Sequence, residues 1–312
     1  MALVYLNPFY ICLVKIVAMI SSFKKILVPV DFSEKSETAV QKAIELAEPF
    51  CSVISLLYVV KPLFSLNIFS STGYLVAPAA EIYFESEIET QMKKYRAMVS
   101  RLTEGVQIEL VISEHGSIQN RIEHAAELFE PDLIIICKKG KRSLFSFFNL
   151  IFPDRLAKKT NCPVLTIKQG AAGNRIRNIV LPVTWMYPAR KLELAILMAK
   201  KFGSHIHLMT FPEKNVDNEN REQAFIDSFN HIRENSSVII KHGPLRGHDI
   251  ARSILNYSES VKADMILANP QTESSVHSLT GIRHISDMLP ANSSIQVMDI
   301  KPYLPEPHLV TS

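Results

Sequence analysis

Several residue types that build compact functional sites are scarce in this chain. Its four cysteines, Cys12, Cys51, Cys137 and Cys162, lie far apart with no CxxC pair. That spacing excludes a zinc ribbon or a thioredoxin-type site and suits a reducing cytosol. Only 10 glycines occur in 312 residues, so any phosphate-binding loop must be built from very few of them. Charge of one sign is also lacking: the formal net charge is +3, too small to imply nucleic acid as the main partner. No Walker A loop, GxGxxG or GxSxG is present, which leaves P-loop NTPase, ordinary dinucleotide enzyme and α/β-hydrolase readings without support. Nucleotidyltransferase chemistry of related architecture needs HxGH, and Gly247-His248 is preceded here by Leu245 and Arg246.

What is present reads as an ordinary globular chain, with 47% hydrophobic and 21% charged residues. Its length is about twice that of a comfortable single domain, so two domains are expected. Residues 2–20 are mostly apolar and nearly long enough to cross a bilayer. Asn7, Pro8 and Lys15 interrupt the run, and polar breaks are costly at membrane depth. No cationic segment or small-residue cleavage site frames a signal peptide. A weak membrane anchor, an extra helix packed on the body and an upstream extension with Met19 as the real start compete. The extension is preferred, because domain patterning begins at Phe23.

An internal repeat organises the remainder. Lys25-Ile-Leu-Val-Pro-Val-Asp31 recurs as Asn178-Ile-Val-Leu-Pro-Val-Thr184, each a short β-branched run of the kind buried on both faces of a parallel sheet. A helix follows each. Val40, Ala43, Ile44 and Ala47 in the first, and Leu192, Ala195, Ile196 and Ala199 in the second, share one apolar stripe. Ser33 is placed as an N-cap with Glu34 and Glu37 in the first turn, and Pro188 as a first-turn proline.

Further strands are predicted at Val53–Val60, Ile108–Ile112, His205–Phe211 and Val238–Lys241, with helices near Ala80–Glu104 and Asn220–Glu234. His115-Gly116 matches His242-Gly243. Pro131–Ile136 matches Ala263–Ala268, and Asn161–Ile167 matches Asn292–Met298. Each half reads β-α-β-α-β-α-β-α-β, a parallel sheet with helices on both faces. The expected division is an apolar extension over 1–22, a domain over 23–169, a linker over 170–175, a second domain over 176–301 and a Pro-rich tail over 302–312.

The run KKILVPVDFSEKSETAVQKAIELA, the central PDLIII and the closing NCPVLTIK resemble the universal stress protein family. The resemblance is strong over residues 23 to about 169 and weaker, through the repeat, over about 176 to 300. It implies two tandem Rossmann-like α/β domains. Each holds a five-stranded parallel sheet of order 3-2-1-4-5, and the two are arranged as a pseudo-dimer with the last strands meeting. The nucleotide-binding branch of that family carries an aspartate after the first strand and a G-x2-G-x9-G-[S/T] loop after the fourth. Glycines there let the main chain approach the phosphates at a helix N-terminus.

On that pattern Asp31 matches the aspartate, Cys137 falls on the first glycine, Gly140 matches the second, and Leu150 and Ile151 fall on the third glycine and the hydroxyl residue. In the second copy Thr184 replaces the aspartate. Ala268 and Gln271 replace two glycines, Gly281 matches the third, and Ile282 replaces the hydroxyl residue. Branched carbon beside a phosphate is unfavourable, so both loops read as degenerate.

Lys138, Lys139, Lys141 and Arg142 surround Gly140 and offer point charges to an anion, against the plainer reading of a solvated basic loop. Should a nucleotide or anion bind the first domain, the implied contacts are Asp31, Val59, Cys137, Lys138, Lys139, Gly140 and Lys141. Phe145, Phe147, Phe148 and Phe152 crowd the same region, either as core or as an apolar face for a partner. His205 and His207 share one face of a strand but lack a third ligand, so no metal is expected. Asp132 and Asp264 recur at strand starts, opposite the edge where ligands bind, and read as structural.

The resulting expectation is a non-catalytic, cytoplasmic stress-response adaptor or small-ligand binder without a resident cofactor. Its partner is a protein or small molecule, with a homodimer as one form and neither nucleic acid nor membrane as partner. The other reading is a nucleotide-binding switch or slow ATPase that holds ATP in the first domain alone.

Overall fold

The computed structural model of the chain describes residues 22–59, 77–100, 105–113, 117–138, 151–171, 173–184, 186–210, 218–244, 249–273, 275–277 and 281–302. The expectations for residues 1–21, for His115-Gly116 and for the tail beyond Pro302 fall outside these.

Strand β1 (Lys25–Val30) pairs in parallel with β2 (Val53–Val59), and β2 with β3 (Gln107–Ser113). On its other side β1 pairs with β4 (Leu133–Cys137), which pairs with β5 (Val164–Ile167). The second half repeats this order with β6 (Asn178–Val183), β7 (His205–Thr210), β8 (Ile240–Pro244), β9 (Met265–Ala268) and β12 (Gln296–Asp299). An antiparallel pair, β10 (Ser275–His277) and β11 (Gly281–Arg283), is inserted between β9 and β12. The halves join where β5 and β12 run antiparallel, with Thr166 opposite Val297 and Val164 opposite Asp299. One sheet of 10 strands results, in the order β3-β2-β1-β4-β5-β12-β9-β6-β7-β8.

The repeated proline helps to shape this sheet. β1 and β4 pair only at Ile26 and Leu27, and β6 and β9 only at Ile179 and Val180. Pro29 and Pro182 follow within two residues, and a proline has no N–H to give a ladder. Each central strand therefore parts from its neighbour towards its C-terminal end. That is where the strand order reverses and where ligands enter open α/β sheets.

Helices α1 (Glu34–Ala47) and α2 (Ala77–Val99) precede β2 and β3, and α3 (Ile118–Phe129) and α4 (Pro153–Thr160) precede β4 and β5. Their counterparts are α5 (Ala189–Phe202), α6 (Asn218–Asn235), α7 (Ile250–Ser260) and the short α8 (Ile285–Met288). Both predicted stripes are buried. The α1 and α5 residues belong to one apolar core that runs unbroken across both halves. The opposite faces have separate cores, one under α3 and α4 and one under α7 and α8.

The joint between the halves is fastened to α1. Gly173 N–H donates to Glu45 Oε1 at 3.0 Å, and the buried Lys42 Nζ donates to Asn174 O at 3.1 Å. Gly170 lies so close to the second half that a Cβ would stand 2.0 Å from Asn292 O.

Some boundaries differ from the sequence reading. Val238-Ile239-Ile240 suggested an earlier β8, but pairing with β7 begins at Ile240 and leaves Ile239 57% exposed. Pro188 stands at the N-cap, one residue before the helix, rather than in its first turn. Asp132 and Asp264 do equivalent work: each Oδ2 accepts two backbone N–H groups, from Lys24 and Lys25 at 2.7 and 2.9 Å and from Arg177 and Asn178 at 2.8 and 2.9 Å. These aspartates anchor the start of β1 and β6, at the edge away from the crevice.

Candidate functional site

Asp31 follows β1 directly and is held by the turn into α1. Its Oδ1 accepts from Ser33 N–H at 3.1 Å, Ser33 Oγ at 2.5 Å and Ser36 Oγ at 2.6 Å, while Asp31 N–H donates to Ser36 Oγ at 2.8 Å. Ser33 is the N-cap as predicted, yet its hydroxyl turns back to Asp31 instead of capping the helix. Phe32 occupies the left-handed region with φ 57° and stacks on Tyr58 at the end of β2, ring centroids 5.2 Å apart. Burial first, then the charge of Asp31, raises the Tyr58 phenol. Tyr95 of α2 is pushed up to about 12 by burial and by Glu37 and Asp31. Val59 is buried beside Tyr58. An oriented carboxylate beside a stacked aromatic pair thus stands at the C-terminal edge.

Cys137 closes β4 and is fully buried. Desolvation pushes its thiol up to about 11, against the pull of Lys168 and Lys35, so it is no nucleophile at neutral pH. Lys138 departs from the expectation of a loop cation reaching for an anion. It is 8% exposed, and its Nζ lies 2.9 Å from Asp287 Oδ1 of α8, in the other half. Lys139, Gly140 and Lys141, with Arg142, Phe145, Phe147, Phe148 and Leu150, lie outside the described residues. Ile151 is fully buried in the core under α3 and α4, and Phe152 is 46% exposed. Sequence reasoning missed Lys168 at the end of β5. It is 2% exposed, and burial followed by the charge of Lys138 lowers its ammonium. A lysine closing the apolar run Val164–Ile167 was its one signal.

The same edge of the second half is built differently. Lys191 of α5 and Glu273, in the turn after β9, are both buried, with Nζ and Oε1 2.5 Å apart. Lys191 Nζ also donates to Pro182 O at 2.6 Å, and Asn269 N–H donates to Glu273 Oε2 at 2.8 Å. Burial pulls Lys191 down and pushes Glu273 up, and each partner's charge opposes the shift. Asn269 ties the turn together: its O accepts from Thr272 and Glu273 N–H, and its Oδ1 from Gln271 N–H. The space left among Thr184, Tyr187, Lys191, Asn269 and Thr272 is about 20 Å³, room for about one water molecule. A larger cavity of about 200 Å³ lies between Lys25, Ser55, Glu109 and Phe129, at the opposite edge of the first half.

His207 is held between Tyr257 and Asn178, at 3.1 and 3.2 Å. Burial, then Lys241 and His205, lowers its imidazole to about 4, so it is a neutral packing residue. Among the described residues no group of three or more His, Cys, Asp or Glu could hold a metal ion, and no helix is long and apolar enough to cross a membrane.

Comparisons with known proteins agree with this architecture. A family model described as the universal stress protein family matches residues 22–168. A universal stress protein of Methanocaldococcus jannaschii is 31% identical over 150 residues, 47% of this chain and 83% of the relative. Among solved structures, a universal stress protein from Archaeoglobus fulgidus superposes with TM-score 0.63 at 16% identity, over 90% of this chain and 97% of that one. The cytoplasmic domain of a prokaryotic cation chloride cotransporter does so with TM-score 0.52 at 15% identity, over 89% and 95%. These structures share the fold, and the sequence match of the first half goes further: the chain belongs to the universal stress protein family.

Proposed function

We propose that this chain is a non-catalytic ligand-binding adaptor of the stress response that binds one small molecule, at the C-terminal edge of its first half. The observation that carries the reading is the contrast between the two edges. Asp31 holds an oriented carboxylate beside the Phe32–Tyr58 stack, whereas Lys191 and Glu273 fill the equivalent crevice with a buried ion pair. A carboxylate suits the hydroxyls of a ribose-like group, and stacked aromatics suit a flat ring. Val59 ends β2 and Cys137 ends β4, the strands on either side of β1, and Lys139-Gly140-Lys141 follows β4 in sequence, while Lys138 is engaged across the halves.

The domain division at 23–169 and 176–301, and a cytoplasmic location, belong to the same reading. Pairing of β5 with β12 inside one chain directs a homodimer or protein partner to other surfaces. Retention of Asp31 supports the nucleotide-switch version. Calorimetry of the full chain with ATP or ADP and magnesium separates the two. Micromolar binding lost in Asp31→Ala makes the first half a nucleotide site; no binding up to millimolar nucleotide leaves the adaptor with a different ligand.

A further inference from the structure

The two faces of the β5–β12 junction have opposite character. Leu165 and Ile167 of β5 and Met298 of β12 point into the apolar core shared by both halves. Side chains alternate along a strand, so Thr166, Lys168 and Asp299 lie on the other face, with Val164 and Val297. Helices α4 and α8 pack over that face. They bring two contacts that cross between the halves: the Lys138–Asp287 ion pair at 2.9 Å, and His284 Nε2 against Asp154 Oδ2 at 3.3 Å.

Several polar atoms here are buried without a hydrogen-bond partner among the described residues: Thr166 Oγ1, Ser286 Oγ, His284 Nδ1 and Asp299 Oδ2. Asp299 is the critical one, at 2% exposed. The charged groups around it are Asp154 from α4, Asp287 from α8, Glu273 from the turn after β9 and Lys138 from the end of β4. Burial above all, then Asp154, Asp287 and Glu273, raises its carboxyl well above the ordinary range, and Lys138 opposes this. An ionised carboxylate in this position, with Oδ2 buried and unpaired, would be strongly unfavourable.

We propose that this seam is a pH-operated latch between the two halves: it is closed while Asp299 is an uncharged acid, and ionisation of Asp299 opens the α4–α8 side about the apolar face. The sign follows from linkage. The closed form binds the Asp299 proton more tightly than an open, solvated form. Closure is therefore favoured at acid pH and weakens as pH climbs from the ordinary aspartate range of about 3.9 towards the raised value.

The test is amide hydrogen exchange on the full chain over roughly pH 5 to 8, with protection corrected for intrinsic exchange. Peptides covering β12 and α8 are expected to lose protection by about tenfold per pH unit for one linked proton. Peptides of α1 and α5 hold steady, and Asp299→Asn removes the slope. A flat wild-type profile, or the wild-type slope surviving in Asp299→Asn, overturns the latch. Should that variant not fold, carboxyl-carbon NMR of aspartate-labelled wild-type protein decides. One aspartate still protonated near neutral pH supports the latch, and all of them titrating in the ordinary range overturns it.

Discussion

At the end of β1 a carboxylate is set in place by the hydroxyls of its own turn, Ser33 and Ser36. At the end of β6 the matching residue is Thr184, and the charge has moved inward to Lys191 and Glu273, 82 residues apart in sequence and 2.5 Å apart in space. The two edges share strand order, the early parting of the central strands and the repeated proline. A crevice is therefore a product of the topology, and whether it stays open depends on a few side chains. The second half has closed its crevice from within, using groups whose burial would be costly without one another.

The largest effect expected from breaking this contrast falls on the second half. Lys191→Met or Glu273→Ala alone leaves the other group buried and unpaired, and should cost about 3–5 kcal/mol in urea unfolding. The double variant Lys191→Met, Glu273→Leu should recover most of that loss, because a well-packed apolar pair often replaces a buried ion pair without penalty. Single variants no worse than surface changes would mean that the pair does not hold the crevice shut.

A smaller, symmetrical effect is expected at the opposite edge. Asp132→Ala and Asp264→Ala each remove two hydrogen bonds to an ionised acceptor. Each should cost about 1.5–3 kcal/mol, less where water takes over the freed N–H groups. Similar losses in the two variants would show that the repeat persists at the strand starts after diverging at the crevice. A loss confined to one of them would place the asymmetry in the scaffold itself.

The scaffold was legible because β-branched runs and helical stripes are local signals repeated at matching places: Lys25–Val30 with Asn178–Val183, and Val40 to Ala47 with Leu192 to Ala199. Of the candidate site, the sequence marks Asp31, Val59 and Cys137 by their places at strand ends, and it is silent on contacts made between distant elements. No spacing rule links Lys191 to Glu273 or Lys138 to Asp287, since those pairs are made by the sheet order and by the antiparallel meeting of β5 and β12. Lys138 reads as a loop cation because it begins a basic run, and no local pattern shows that Asp287 of the second half is its partner. Ile239 shows the opposite error: an apolar residue that extends a β-like run but lies beyond the first paired position.

The smallest effect sharpens the first-half side of the comparison. Ser36 Oγ both accepts from Asp31 N–H and donates to Asp31 Oδ1, and it is fully buried. Ser36→Ala should therefore cost about 1–3 kcal/mol for the two hydrogen bonds lost, below the Lys191 and Glu273 variants. It removes a hydroxyl from the oriented side of the carboxylate and leaves the charge intact. In calorimetry with whichever ligand the first half takes, Ser36→Ala should weaken binding less than Asp31→Ala does. If the two weaken it equally, orientation rather than charge is what Asp31 contributes. If Ser36→Ala leaves affinity untouched, the hydroxyl serves only the turn into α1, and the carboxylate is positioned by the backbone around Phe32.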